Sequence, residues 1–154
     1  MNDSQDNITV EAEAPDMVNH PPHYTDGPTM RSLECIDITR WMPFTLGNAF
    51  KYVWRAGKKG DACKAIEDLR KAEFYLNEFG TLYDAGFGTN LYPKTSQAVV
   101  HVLIGKVDIF SCDTMETWRR AALNGIIDSD WDEAIYAVLQ GIKYYTSVDQ
   151  EDAP

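Results

Sequence analysis

Apolar residues recur every three or four positions over much of the chain, which is the spacing of an amphipathic helix. The clearest case begins at Phe44 and ends at Ala56. At 100° per residue, one side of a helix there would collect Leu46, Ala49, Phe50, Val53 and Trp54. Gly57 follows, where a left-handed residue often ends a helix. The pattern predicts a helix over residues 44–56.

A second amphipathic segment runs from about Ala62 to Phe79. Asp61 is a typical N-cap residue, and Gly80 is expected to end the helix. The apolar stripe consists of Ile66, Leu69, Ala72, Leu76 and Phe79. A different face carries Lys64, Asp68, Lys71 and Tyr75, whose spacings of four, three and four place them side by side.

Caps and periodicity predict further helices. Ser32 is expected to cap a short helix that ends near Met42. A capping box at Asp113 and Glu116 predicts a helix that ends near Gly125. A last helix, capped by Ser129, has the stripe Trp131, Ile135, Val138, Leu139 and Ile142.

Two segments are harder to assign from the pattern. Residues 96–105 are apolar and rich in valine, which leaves a helix or a buried strand open, with a helix favoured by context. Residues 18–24, VNHPPHY, contain two adjacent prolines and are expected to be extended and polyproline-like.

Together these elements predict an all-α fold, a compact bundle of about five to six helices. Residues 1–16 are acidic and poor in large apolar side chains, so we expect a disordered arm. Residues 17–80 are expected to form the first domain and residues 81–95, which contain two glycines and a proline, a linker loop. Residues 96–148 are expected to be a helical extension that packs on the same core.

Composition restricts the class of protein. No apolar run is long enough to span a bilayer, and the first residues lack the order of a signal peptide. The widely spaced cysteines show no metal-type pairing and favour a reducing compartment, the cytoplasm: Cys35, Cys63 and Cys112. The net charge of −10 argues against a general binder of duplex DNA.

The charge distribution changes this picture locally. Eight of the 14 basic residues lie between Arg40 and Lys71, with only three of the 24 acidic ones. Such a positive region in an acidic protein can attract a small anion, although a solvated basic face would have the same pattern.

The side chains of this region suit a nucleotide. Lys51 and Arg55 lie one helical turn apart beside Tyr52 and Asn48, which supplies phosphate ligands, an aromatic ring and an amide. The loop between Gly57 and Gly60 adds Lys58 and Lys59 and leads into a helix N-terminus, a favourable place for phosphate. It is not a Walker A loop, because no Gly-Lys-Ser/Thr sequence ends it.

Asp68 has several interpretations at this stage. It could form an exposed ion pair with Lys71, orient Lys51 or Arg55, or contact a ribose. His20, His23 and Tyr24 precede the basic region, and one of these histidines or the tyrosine could contact a ligand.

Carboxylates also allow a metal site. Glu34 and Asp37, at i and i+3, could share Mg²⁺. Glu67 and Asp68 are adjacent in sequence, so a second pair with the same spacing is missing. The involvement of Mg²⁺ stays open.

Four blocks, VNHPPHY, ECID, LGNAFKYVWRAGKKG and IEDLRKAEFYL, occur in this order between Val18 and about Phe79. In this respect the chain resembles a small domain that is widespread in phages and forms the C-terminal part of the deoxynucleoside monophosphate kinase of T-odd coliphages. The resemblance implies that residues 17–80 are a nucleotide-kinase-like domain in the host cytoplasm. It implies phosphoryl transfer without a P-loop, from a nucleoside triphosphate such as ATP to a deoxynucleoside monophosphate of the dTMP or dGMP class.

The resemblance and the basic face together give the candidate site. The catalytic candidates are Lys51, Arg55 and Lys58. The candidates for substrate binding are His20, His23, Tyr24, Asn48, Tyr52, Lys59, Asp68, Lys71 and Tyr75.

Two other functions remain open. One is an all-α nucleoside triphosphate pyrophosphohydrolase, resembling the MazG type, with Mg²⁺ held by Glu34, Asp37, Glu67 and Asp68. The other is a non-catalytic module that sequesters a nucleotide or binds a host protein. Whatever the function, a short multi-helix chain with four tryptophans favours a homo-oligomer, in which copies bury apolar surface against one another.

Overall fold

The computed structural model describes residues 17–19, 21–25, 33–107 and 116–151, and within these ranges it contains helices and turns but no strand. This confirms the all-α class. The helices are α1 (Pro22–Thr25), α2 (Cys35–Thr39), α3 (Phe44–Arg55), α4 (Ala62–Leu82), α5 (Gly88–Leu91), α6 (Lys94–Val107), α7 (Thr117–Asp128) and α8 (Trp131–Glu151). A wide helical turn, Tyr83–Phe87, joins α4 to α5. The predicted arm over residues 1–16 lies outside the described residues.

Helix α3 confirms its predicted pattern. All five residues of its apolar side are buried, and the helix ends at Arg55. Ala56 (φ −51°, ψ 127°) and Gly57 (φ 77°) then have the conformation of a type II turn, closed by the Lys58 amide donating to the Arg55 carbonyl at 2.9 Å. Gly57 therefore ends the helix as predicted.

Helix α4 begins as predicted but runs further. The Asp61 carboxylate accepts the Lys64 amide at 2.9 Å and so caps the helix. The helix continues through Gly80 to Leu82, so the predicted stop at Gly80 is wrong. The reason is tertiary: Gly80 is buried, and a Cβ on it would lie 2.9 Å from Nε1 of Trp131, so the glycine allows close packing on α8.

Residues 81–95 are not a simple loop. The end of α4, the wide turn and α5 occupy most of this stretch, and α6 starts directly after Pro93. The chain bends at Gly86, whose φ is 88°, so one left-handed residue makes the turn. Residues 96–105 lie in α6, which confirms the favoured helix.

The segment around Pro22 is also different from its prediction. Residues 22–25 form a single helical turn rather than an extended, polyproline-like backbone, with the Tyr24 amide donating to the Pro21 carbonyl at 2.9 Å. Proline is well suited to a first helical turn because its missing N–H is not needed there. Helix α2 is shorter than predicted, and the predicted cap Ser32 lies outside the described residues. At its start the Glu34 amide donates to the Asp37 carboxylate at 3.1 Å.

The cap of the last helix is corrected as well. Helix α7 continues past Gly125 to Asp128, and Ser129 (φ 61°) ends α7 in the left-handed conformation. Asp130 takes the cap position of α8, since its carboxylate accepts the Glu133 amide at 3.1 Å. Helix α7 begins at Thr117 after Glu116, whereas the other half of the predicted capping box, Asp113, lies outside the described residues.

One hydrophobic core joins these helices. α4 packs against α3 on one side and α8 on the other, and α7 contacts both α3 and α8. The largest fully buried side chains come from several helices: Trp54, Tyr92, Phe50, Phe79, Ile38, Leu46, Leu69, Leu76, Leu123, Ile126 and Val53. In the described part of the chain, no helix has the length and apolar character needed to cross a membrane.

Candidate functional site

The centre of the predicted site is an ion pair between α3 and α4. Arg55 binds Asp68 with two hydrogen bonds, from Nε to Oδ2 at 2.9 Å and from Nη2 to Oδ1 at 2.6 Å. The Asp68 side chain is 1% exposed and the Arg55 side chain 13%. Of the interpretations that the sequence left open for Asp68, the structure selects the one in which it orients Arg55.

Arg55 also fixes the segment before α2. Its Nη1 donates to the Tyr24 hydroxyl at 2.9 Å, and the His23 ring lies 4.2 Å from the Tyr24 ring, measured between centroids. The guanidinium thus joins α1, α3 and α4 at one point, and its bidentate geometry leaves little freedom.

A cleft of about 260 Å³ opens beside this junction, between α1, α2 and α3. Tyr24 and Lys51 lie in its wall. The other lining residues are Val18, Asn19, Pro21, Glu34, Cys35, Ile36 and Thr39. Lys51 Nζ donates to the Asn48 side-chain oxygen at 2.7 Å, and Asn48 in turn donates to the Phe44 carbonyl at 2.8 Å. The position of the Lys51 ammonium group is therefore set by α3 itself.

Positive charge converges on this cleft. Burial lowers the pKa of Lys51, and the nearby charge of Arg55 lowers it further. Burial and the charges of Lys59 and Arg55 lower the pKa of His23. Burial raises the pKa of the Cys35 thiol to about 12, against the opposing effect of Lys58, Lys51 and Arg55. Neighbouring cations thus add to the effect of burial on Lys51 and His23, so an anion beside these two groups would be stabilised.

Two tyrosines support the cations. The rings of Tyr52 and Tyr75 stack with 5.9 Å between centroids and 13° between planes. Lys51 Nζ lies 4.5 Å from the Tyr52 centroid and Arg55 Cζ 4.9 Å, both within cation–π range. Phe44 meets the edge of Tyr75 and is itself exposed.

The glycine loop is arranged differently from the sequence expectation. Lys58 and Lys59 are exposed, and Lys58 Nζ lies 5.0 Å from the Trp54 ring centroid. The N-terminus of α4 already carries the Asp61 carboxylate as its cap. The lysines can therefore add charge near the cleft, but the helix N-terminus is occupied by the protein's own anion.

Some predicted residues are not gathered here. Lys71 pairs with Glu67, which also binds Lys64 at 2.5 Å. Lys71 Nζ lies 5.7 Å from the Tyr52 ring centroid, and its charge acts on Lys51 from a distance. His20 lies outside the described residues. Within the described ranges, no group of three or more histidine, cysteine, aspartate or glutamate side chains could hold a metal ion. The four carboxylates of the alternative site are thus not assembled.

Sequence reasoning missed Cys35 and Thr39 in the cleft wall, and it missed Arg119. Arg119 is 6% exposed and lies on the same side of α7 as the buried residues Trp118, Ala122 and Leu123. A charged residue within an apolar stripe is unusual, and this was the one indication in the sequence. The sequence does not indicate that Arg119 contacts the end of α3.

Comparison with known proteins covers the part of the chain that contains this cleft. Residues 18–77 match the model of a protein family of unknown function, DUF3310. The chain is also 37% identical over 76 residues to the Gene 1.7 protein of Enterobacteria phage T3, a region that is 44% of this chain and 47% of the T3 protein. Both matches support a phage domain family. This chain spans less than half the length of that relative, and neither match shows a link to a kinase.

The matched segment, residues 18–77, extends from α1 through most of α4 and includes Arg55, Asp68 and Lys51. Helices α5 to α8 lie outside it. No solved structure is significantly similar to this chain.

Proposed function

We propose that the cleft beside Arg55 binds the phosphate of a nucleotide, and that the protein is a kinase-like enzyme acting on deoxynucleoside monophosphates. The observation that supports binding most directly is the Lys51 ammonium group in the cleft wall, which Asn48 holds and on which the positive charges of Arg55 and Lys71 act. In a site partly shielded from water, these charges attract an anion more strongly than they would on an open surface.

The residues then have distinct roles in the proposal. Lys51 contacts phosphate, and Lys58 and Lys59 add charge from the loop. Arg55 already donates to Asp68 and Tyr24, so it positions the cleft wall rather than grasping phosphate with its full fork. This changes its assignment from a catalytic group to a positioning group.

Tyr52 changes its role in a similar way. Its ring stacks on Tyr75 and contacts Lys51 and Arg55, so it holds the cations in place. Tyr24 lies in the cleft wall and the His23 ring lies against the Tyr24 ring, so these two residues are assigned to the nucleoside.

In the transfer step, a phosphate oxygen of the deoxynucleoside monophosphate forms a bond to the γ-phosphorus of a nucleoside triphosphate such as ATP. The bond from that phosphorus to the β-phosphate oxygen breaks, and the nucleoside diphosphate leaves. Such transfer depends mainly on positioning and on neutralising the charge of the phosphate oxygens. A cluster of lysines can supply that charge without a P-loop. The resemblance to a phage kinase domain supports this chemistry, and Lys51 in the cleft wall supports the binding of a phosphate.

The test is to incubate the full chain with ATP and each deoxynucleoside monophosphate, with Mg²⁺ and with EDTA, and to measure the diphosphate product. We expect product with dTMP or dGMP and a loss of at least about tenfold in Lys51→Met, since a charge-assisted hydrogen bond contributes about 1.5–3 kcal/mol. Lys143→Met, an exposed lysine on α8, is the matched control. Absence of product with every monophosphate would refute the transfer step.

Binding without transfer is the second candidate. It is favoured by the saturated Arg55, because the strongest phosphate clamp of the region already has protein partners. Thermal stabilisation by a nucleotide with no turnover would support it. Hydrolysis by the four carboxylates has no comparable support, since the structure does not assemble them.

A further inference from the structure

A buried arginine from α7 completes the end of α3. Arg119 Nη1 donates to the Val53 carbonyl at 2.5 Å, and its Nη2 donates to the Ala56 carbonyl at 2.9 Å. Glu116 accepts from Nε of the same guanidinium at 3.0 Å. The Tyr145 hydroxyl, from α8, lies 3.2 Å from Nη2 and donates to the Ala56 carbonyl at 3.4 Å.

This arrangement solves a local problem of α3. The last carbonyls of a helix have no partner within the helix, and leaving them buried and unpaired is costly. A guanidinium there satisfies two carbonyls at once and also interacts favourably with the negative end of the helix dipole. Arg119 therefore determines where the peptide of Ala56 lies.

The peptide of Ala56 leads directly into the loop of Lys58 and Lys59. Gly57 is confined by Tyr145, since a Cβ on the glycine would lie 2.0 Å from the Tyr145 hydroxyl. Burial disfavours the Glu116 carboxylate, but the hydrogen bond from Arg119 and the charges of Arg119 and Lys58 outweigh this and lower its pKa. The charge of Lys58 thus interacts with the Glu116 carboxylate, which is a partner of Arg119.

We propose that Arg119 and Tyr145 are positioning residues of the nucleotide site: they hold the loop that presents Lys58 and Lys59, although they lie outside the matched segment. The proposal rests on the proposed function. It means that α7 and α8 take part in ligand binding without touching the ligand.

The test uses the full chain and the variants Arg119→Met, Arg119→Lys and Tyr145→Phe, with Lys143→Met as the control on α8. Amide exchange of residues 57–61 reports on the loop without any ligand, and calorimetry with ATP reports on binding. We expect Arg119→Met to speed amide exchange in the loop about tenfold compared with the wild-type chain, while exchange in the middle of α4 serves as the internal reference. The same variant should weaken ATP binding by a similar factor. Arg119→Lys should restore part of both, and Tyr145→Phe should show a smaller effect of the same kind.

The outcomes separate the two claims. If the wild-type chain binds ATP and the variants change neither the loop exchange nor the affinity, the positioning role is refuted while the proposed function stands. If the wild-type chain does not bind ATP, the proposed function fails and the nucleotide part of this inference fails with it, whereas faster loop exchange in the variants would still support the clamp. Should Arg119→Met fail to fold, Tyr145→Phe decides, because it removes only one hydroxyl.

Discussion

At the scale of single residues, Arg55 fixes the position of Tyr24 in the cleft wall relative to α3 and α4. Its fork binds a buried carboxylate and a tyrosine hydroxyl, so three segments of the chain meet at one cation. Buried ions lose much of their hydration, so removal of one partner leaves the other as an unpaired buried charge, which destabilises the fold. The pair therefore acts as a fixed support, next to which Lys51 can act on a ligand.

Removal of Asp68 should be costly for this reason. We expect Asp68→Ala to lower the free energy of unfolding by about 3–5 kcal/mol, because it leaves the Arg55 charge without its buried partner. Urea unfolding measures this. Glu67→Ala, on the same helix and in exposed pairs with Lys64 and Lys71, is the control and should have little effect. Equal effects of the two substitutions would contradict the buried pair.

His23 should make stability depend on pH. Its pKa is lowered by burial and by Lys59 and Arg55, so the folded-state pKa lies below the ordinary value of 6.5. The unfolded chain then binds protons first as the pH falls, and the folded state loses stability through and below pH 6.5. We expect His23→Gln to remove this loss, measured by unfolding at several pH values. His101→Gln, whose imidazole pairs with Asp128, should not remove it.

At the scale of elements, the sequence predicted α3 and the start of α4 well because their patterns are local. Five apolar residues, a left-handed glycine and an aspartate cap each act within a few positions of themselves. The errors fall where a distant residue decides. Gly80 is predicted to end α4, but it lies inside the helix because it packs against Trp131 on α8, a contact that the sequence does not reveal.

The candidate site shows the same division. The basic and aromatic residues of α3 could be gathered from helical spacing alone. The pairing of Arg55 with Asp68, and of Val53 with Arg119, joins residues 13 and 66 positions apart, and it depends on how the helices pack. Which segments meet at the cleft, and through which residues, could therefore not be predicted from the sequence.

Substitution of Ser129 should change stability in opposite directions, depending on whether the residue caps α8 or ends α7 in the left-handed conformation. If Ser129 were the N-cap of α8, its replacement would weaken that helix. In the structure it has φ 61°, and its buried hydroxyl has no hydrogen-bond partner among the described residues. We expect Ser129→Gly to raise the free energy of unfolding by about 1 kcal/mol, since glycine adopts this conformation without strain. A loss of stability in denaturant unfolding would favour the capping role, for which Asp130→Ala is the comparison.

At the scale of the whole molecule, the hydrophobic core of the matched segment continues into α7 and α8. α4 lies between α3 and α8, and buried residues of α7 and α8 belong to the same hydrophobic cluster as those of α3. The matched segment and the described residues after it therefore share one hydrophobic core. The cleft wall formed by α3 therefore packs against α7, which lies outside the matched segment.

A chain shortened to end at Leu82 should consequently fail to fold cooperatively. It would expose the face of α4 that packs on α8 and leave the carbonyls of Val53 and Ala56 without Arg119. Circular dichroism during heating should show a broad, non-cooperative loss of helix, compared with a single transition for the full chain. A cooperative transition in the shortened chain would contradict a shared core.

The central claim, that the cleft with Lys51 receives a nucleotide phosphate, is tested most directly by calorimetric titration of ATP and dTMP into three proteins: the full chain, Lys51→Met and Lys143→Met. The account predicts that the full chain and Lys143→Met bind alike, and that Lys51→Met binds at least about tenfold more weakly while it stays folded. Equal binding by Lys51→Met and the full chain, or no binding of either nucleotide by the full chain, would contradict it.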